Sequence, residues 1–239
     1  MANRKSVTEQ MSLALSLRDD CRFDNFLALS ETGSQVVAFL EQRFSSQLEK
    51  AVYLWGADGS GRSHLMQAVC HDWLRSGKSV QYLPLTELRD YPPEQVMADL
   101  EYLDLVCIDE VNLVANQDSW LDQLFHFFNR SRAREGCLLI SADAPPSQLG
   151  LSLADLQSRL SASTVFQLPS HSDPEKIRIL QFRARCLGLQ LSNEAAQFLL
   201  NRAPRQLGLL VDKLRELDHS SLVHQRRLSI PFIKEVFSW

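Results

Sequence analysis

Five short apolar runs, a glycine-rich turn set between the first run and a helix, and a change to helix-only patterning in the last third predict the fold class. It is an α/β domain built on a parallel sheet with helices on both faces, followed by a small all-helical unit. A chain of 239 residues, 45% hydrophobic and 23% charged, is long enough for such a core and excludes a disordered chain, a collagen-like repeat or a low-complexity filament. The longest uninterrupted apolar runs are about five residues, against the roughly 18 that span a bilayer. The N-terminal MANRKSVTEQ has no apolar signal core, so the chain is expected in the cytoplasm and without a membrane partner.

The elements follow in order. Residues 1–22 mix polar residues with the small apolar patch MSLALSL and are expected to form an extended arm. Val36, Val37, Leu40, Phe44 and Leu48 recur at three- and four-residue spacing, which predicts a helix over 36–48 with one buried face. Ala51–Trp55 is an unbroken apolar run that ends in GADGSGRSH, after which Leu65, Val69, Trp73 and Leu74 keep helical spacing. The order is therefore strand, loop, helix. Further strands are expected at 79–83, 103–108 and 137–141, with a helix over 120–134, and a last strand at 164–168 before Pro169. From there helices are expected near 173–187, 192–202, 204–218 and 230–237. The domain plan is an arm at 1–22, an α/β domain at 23–170 and a helical domain at 171–239.

Charge supports the division. Net charge is −4, which argues against a protein that coats DNA through bulk charge or reads it directly. From Ser170 onward there are 11 Lys and Arg against 7 Asp and Glu, or +4, leaving −8 for the rest. Cys21, Cys70, Cys107, Cys137 and Cys186 are at least 30 residues apart, so neither a metal site nor a disulfide framework is expected, and they read as small buried thiols.

Gly56-Ala57-Asp58-Gly59-Ser60-Gly61-Arg62-Ser63 fits the phosphate-binding pattern GxxxxGK[ST], except that Arg62 stands where lysine is usual. Glycines let backbone N–H groups turn inward around a phosphate, and the helix that follows aims its positive end at the same point. Asp58, Gly59, Ser60, Gly61, Arg62, Ser63 and His64 are the nucleotide-binding candidates, with Ser63 a Mg²⁺ ligand. A planar guanidinium cannot sit as an ammonium does between β- and γ-phosphates. Phosphate binding should survive that change more readily than hydrolysis.

About 50 residues on, Leu105-Val106-Cys107-Ile108-Asp109-Glu110 is a buried strand ending in two carboxylates. Asp109 would hold Mg²⁺ through water and Glu110 would polarise an attacking water. CLLISAD ends with Ser141 and Asp143, either of which could reach a terminal phosphate. Arg159 in DLQSRLS and Arg205 after Pro204 are suitably placed in the chain to serve as cations that reach a phosphate site from a neighbouring subunit or a mobile lid.

Together the P-loop, the IDE strand end, ISAD, SRL and the C-terminal helices resemble the AAA+ P-loop ATPase domain of the DnaA initiator family. Phe23-Asp24-Asn25-Phe26 looks like that family's FDNF box, which implies that Phe23 and Phe26 lie beside the nucleotide base. The chain ends at Trp239, directly after the helical unit, so no DNA-binding domain is expected. That shape, with the arm Gln10-Met11-Ser12-Leu13-Ala14-Leu15, resembles the Hda family of DnaA-related regulators, whose QLSLPL-type arm docks on the β-subunit sliding clamp. The resemblance implies a negative regulator that binds ADP with Mg²⁺ and docks on the clamp through Gln10, Met11, Leu13 and Leu15. It then stimulates hydrolysis of ATP held by DnaA. Arg159 matches the arginine finger supplied in trans, and Arg205 the lid arginine that senses the chain's own nucleotide.

Two other readings stay open. Glu110 permits a self-contained ATPase, such as a helicase loader of the DnaC or IstB type, against which stand Arg62 and the absence of a basic, aromatic single-strand-binding segment in the first 50 residues. A pure adaptor that holds nucleotide for structure is the other. A homo-oligomer that hides Arg159 is compatible with the pattern.

Overall fold

The computed structural model describes residues 17–44 and 46–239, and the arm residues Gln10, Met11, Leu13 and Leu15 lie outside them. Five parallel strands, β1 (Ala51–Trp55), β2 (Val80–Pro84), β3 (Leu105–Asp109), β4 (Cys137–Ala142) and β5 (Thr164–Gln167), form one sheet in the order β2-β3-β4-β1-β5. β3 and β4 are buried along their whole length, as parallel strands covered on both faces must be. The edge strand β5 alternates half-buried with exposed positions. Side chains alternate across the sheet: Tyr53, Leu83, Val106, Ile108, Leu138 and Ile140 pack on one face, and Val52, Leu54, Leu105, Cys107 and Leu139 on the other.

Helices α1 (Glu31–Phe39) and α2 (Arg62–Arg75) cover the second face through Val36, Leu40, Leu65, Val69 and Trp73. The short helices α3 (Leu85–Leu88) and α4 (Pro93–Val96), with α5 (Asp118–Ala133) and α6 (Ala154–Ser161), cover the first through Leu88, Trp120, Phe127, Leu156 and Leu160. Residues 168–172 lead into α7 (Asp173–Cys186), α8 (Asn193–Arg202), α9 (Leu207–His224) and α10 (Ile230–Phe237), which enclose a separate core of Leu180, Leu199, Leu210, Leu214, Phe232 and Ile233. Among the described residues no helix is long and apolar enough to cross a membrane.

The structure moves some expected boundaries. The first helix begins at Glu31 because the Ser30 hydroxyl accepts from Gly33 N at 3.0 Å, an N-cap that apolar spacing does not register. It widens into a π-turn at Leu40–Phe44, and Leu48 is 71% exposed rather than on the buried face. α9 runs to His224, past the expected 218, because buried Ser221 continues the Leu210, Leu214, Leu217 stripe and donates its hydroxyl to Arg226 O at 2.6 Å. α6, which carries Arg159, had no expected counterpart. Cys21, Cys70, Cys107 and Cys137 are buried, whereas Cys186 is exposed.

Candidate nucleotide site

Ligands of open α/β sheets bind beyond the carboxyl ends of the strands, and the P-loop leaves β1 there. Gly56 N donates to Ala142 O at the end of β4 (3.3 Å), and Ser60 N to Ala57 O (3.1 Å). A Cβ on Gly56 would meet Leu168 O at 2.6 Å; one on Gly61, whose φ is +98°, would meet the Phe26 ring at 2.7 Å. Glycine is thus required at both places for close approach, and at Gly61 also for the left-handed turn that starts α2. The backbone N–H groups of Gly61, Arg62, Ser63 and His64 find no acceptor among the described residues. They are the free donors of a helix N-terminus, which suit an anion. Ser60 Oγ is buried and also lacks a partner.

Arg62, the residue that departs from the phosphate-binding pattern, turns down rather than out. Its side chain is 5% exposed. Nη1 donates to the carbonyls of Gly56 and Ala142, and Nη2 lies 3.4 Å from Glu110 Oε1. Glu110 follows β3 in the left-handed region (φ 63°), and its N–H donates to Ser141 Oγ at 3.0 Å. Burial first, and the neighbouring Asp109 second, hold the Glu110 carboxyl above the usual carboxylate range, and Arg62 opposes them. Asp109 is buried and accepts from Ser141 Oγ and, at 2.6 Å, from the Tyr82 hydroxyl. Burial and that carboxylate push the Tyr82 phenol far up, so it remains a donor. Asp143 is exposed, and its N–H donates to Asn112 Oδ1 at 3.2 Å.

A cavity of about 240 Å³ opens over the loop. Its floor is Asp58 to His64, and its walls are the N-terminal segment (Arg18, Cys21, Asn25, Phe26) and the lid (Ile179, Arg183, Leu207, Val211, Arg215). The N-terminal segment is a strap bonded to both domains. On the α/β side, Arg18 N donates to Gln67 Oε1 (2.9 Å), and His71 Nε2 and His64 Nε2 stand 3.0 and 2.8 Å from the carbonyls of Arg18 and Arg22. Burial holds the His64 pKa down to about 4, so a neutral ring donates one N–H to Arg22. On the lid side, Asp20 Oδ2 accepts from Arg183 and Arg215, while Arg183 Nη1 also donates to the carbonyls of Asp20 and Asn25, both at 3.0 Å. Asp212 accepts from Arg18 and Arg215, each at 2.7 Å.

The expected site residues among the described ones fall into three groups: those that line the cavity, one that lines an adjoining opening, and Phe23, Asp143, Arg159 and Arg205, which line neither. Asp58, Gly59, Ser60, Gly61, Arg62, Ser63, His64, Phe26 and Glu110 line the 240 Å³ cavity. Asp109 lines an adjoining opening with Asp58, Ser63 and Glu110. Phe23 begins a short 3₁₀ turn and packs on the core between α1 and α2, outside the cavity lining. Arg205 is largely exposed, pairs with Asp173 Oδ2 at 3.0 Å and lines neither opening. Arg159 is exposed on α6, and its guanidinium has no partner among the described residues. Arg18, Asp20, Tyr82, Arg183 and Arg215 were not expected. The strap and lid pairs join positions more than 160 apart in the chain, and Tyr82 sits inside an apolar run, so only the unusual density of arginine in α7 hinted at them.

Among the described residues no cluster of three or more His, Cys, Asp or Glu is placed to hold a metal ion. Ser63 and Asp109 border one opening, and each Asp109 oxygen has one protein donor. A carboxylate with lone pairs to spare suits a hydrated Mg²⁺ that takes its remaining ligands from phosphate.

Both domains of the chain are similar to known proteins. Residues 17–167 match the family model for the bacterial DnaA ATPase domain, and residues 173–237 match the model for the Hda lid domain. Domain III of the Thermotoga maritima replication initiation protein DnaA superposes with a TM-score of 0.75 at 19% identity, over 93% of this chain and 98% of that one. AMPPCP-bound DnaA from Aquifex aeolicus gives 0.68 at 19% identity, over 83% and 65%. The Thermotoga maritima RuvB Holliday junction branch migration motor gives 0.63 at 15%, over 93% and 72%. The fold is thus an AAA+ core with a helical lid, and the chain belongs to the family of bacterial DnaA ATPase domains, with a lid of the Hda type.

Proposed function

We propose that this protein is a negative regulator of replication initiation that carries ADP, docks on the DNA-loaded sliding clamp and stimulates hydrolysis of DnaA-bound ATP. The observation that carries the reading is Arg159, which is exposed, without a partner among the described residues and absent from the lining of the chain's own cavity. A cation so held is free to enter another subunit's active site, where an arginine finger is worth about 10³–10⁵ in rate. The nucleotide lies on the free N–H groups of the P-loop, with Ser63 and Asp109 beside a Mg²⁺ that supplies charge neutralisation to the phosphates. The arm docks through Gln10, Met11, Leu13 and Leu15, and Arg205 reaches the nucleotide once the lid closes and its exposed pair with Asp173 opens.

The test is DnaA-bound ATP hydrolysis on clamp-loaded DNA. Arg159→Ala should fold, bind ADP and bind the clamp like the parent and yet give no stimulation; full stimulation by that variant contradicts the finger. Deleting residues 1–16 should abolish clamp binding with ADP affinity intact. The second reading, a self-contained ATPase such as a DnaC- or IstB-type loader, rests on Glu110 at the end of β3. Turnover of about 1 s⁻¹ or more by the protein alone would favour it.

A further inference from the structure

Of the four arginines that line the cavity, Arg62 alone is not paired with Asp20 or Asp212 among the described residues. The other arginines that line it, Arg18, Arg183 and Arg215, are committed to Asp20 and Asp212. Opposed to Arg62 are Asp58 on the loop, Asp109 and Glu110. Its guanidinium is spread over three acceptors: the carbonyls that end β1 and β4, which the sheet fixes, and Glu110. Gly56 and Ala142 are outside the cavity lining, whereas Glu110 and residues 61–64, which carry the free N–H groups, line it.

We propose that the Arg62–Glu110 pair counts phosphates, admitting a nucleoside diphosphate on the loop N–H groups and excluding a triphosphate. This rests on the reading of the cavity as a nucleotide site. Two phosphates bind on the loop and leave the pair intact. A third extends towards Glu110 and Asp109 and meets no free cation there, because Arg62 is held by Glu110 and the two carbonyls. To serve the third phosphate, Arg62 must leave Gly56 O without a donor, Ala142 O with the Gly56 N–H alone, and Glu110 half-buried without its cation. Unpaired groups of that kind are expensive. An ammonium could leave at lower cost, since it cannot hold two carbonyls and a carboxylate in one planar fork.

The probes are ADP and AMPPCP, titrated calorimetrically in Mg²⁺ against the parent, Arg62→Lys, Glu110→Gln and the double variant. The parent should prefer ADP. Each single change should raise the AMPPCP-to-ADP affinity ratio about tenfold, the size of one charged hydrogen bond, Glu110→Gln because it leaves Arg62 charged but unneutralised. The double variant should gain no more than the larger single effect, because both remove one interaction. Glu110→Gln is nearly isosteric and keeps the test open if Arg62→Lys does not fold. A ratio unchanged in the folded variants overturns the proposal while leaving nucleotide binding in place. A parent that binds neither probe overturns the nucleotide reading itself.

Discussion

Two arginine networks flank the same cavity and are built differently. Around Arg62 one guanidinium reaches partners that the sheet has already fixed, the carbonyls of Gly56 and Ala142 and the carboxylate after β3. Around Asp20 one carboxylate gathers arginines from α7 and α9 onto a strap that has no regular structure of its own beyond a short turn. The first network is held by the fold; the second holds parts of the fold together. Substitution in the first should therefore change ligand preference, and substitution in the second should change stability and the coupling of lid to α/β domain.

The largest stability effect is expected at Arg183, whose side chain is 7% exposed. Arg183→Ala removes donors from Asp20 and from two backbone carbonyls and should cost about 3 kcal/mol, the usual loss when one partner of a buried pair is deleted, read by urea unfolding. A loss as small as that of an exposed arginine would mean that the strap is not fastened to the lid. Asp20→Asn should cost less, about 1–2 kcal/mol, because Arg215 retains Asp212. The two changes together should fall short of their sum.

Next in size is a pH effect. The folded His64 pKa of about 4 lies below the ordinary 6.5, so between those values the unfolded chain takes a proton that the folded one refuses. The stability contributed by neutral His64 should be complete above about pH 6.5 and lost as pH falls towards 4. His64→Asn should flatten that limb of the pH–stability profile, and an unchanged slope would show that the ring does not sit neutral against Arg22. The smallest effect is expected for Arg205→Ala, whose pair with Asp173 is solvent-exposed and should leave thermal unfolding where it was. A clear loss of ADP affinity without loss of stability would separate a lid sensor from a surface ion pair.

How much was legible in the sequence follows the same division. The P-loop, β3 with its two carboxylates and the helical lid could be read because each is a local pattern of glycine spacing, an apolar run or helical periodicity. Arg62 was legible as a departure from lysine, but not its downward turn, which depends on β1 and β4 being neighbours although 80 residues separate Arg62 from Ala142. The strap falls within the arm that the sequence predicts, because the bonds that order residues 18–25 are made by side chains of α2, α7 and α9 rather than by local spacing. Arg205 was assigned by motif to the nucleotide, whereas in the structure its guanidinium is on Asp173; motif fixes sequence position, and lid geometry decides reach.

The central claim is that the cavity between strap, P-loop and lid holds a diphosphate. The most direct measurement is the nucleotide released on denaturing protein purified without added ligand, resolved by phosphate number. Near-stoichiometric ADP from the parent, reduced in Arg183→Ala as the cavity wall loosens, is the predicted result. Protein that releases no nucleotide and takes up none of the added ADP, or that releases mainly ATP, would contradict it.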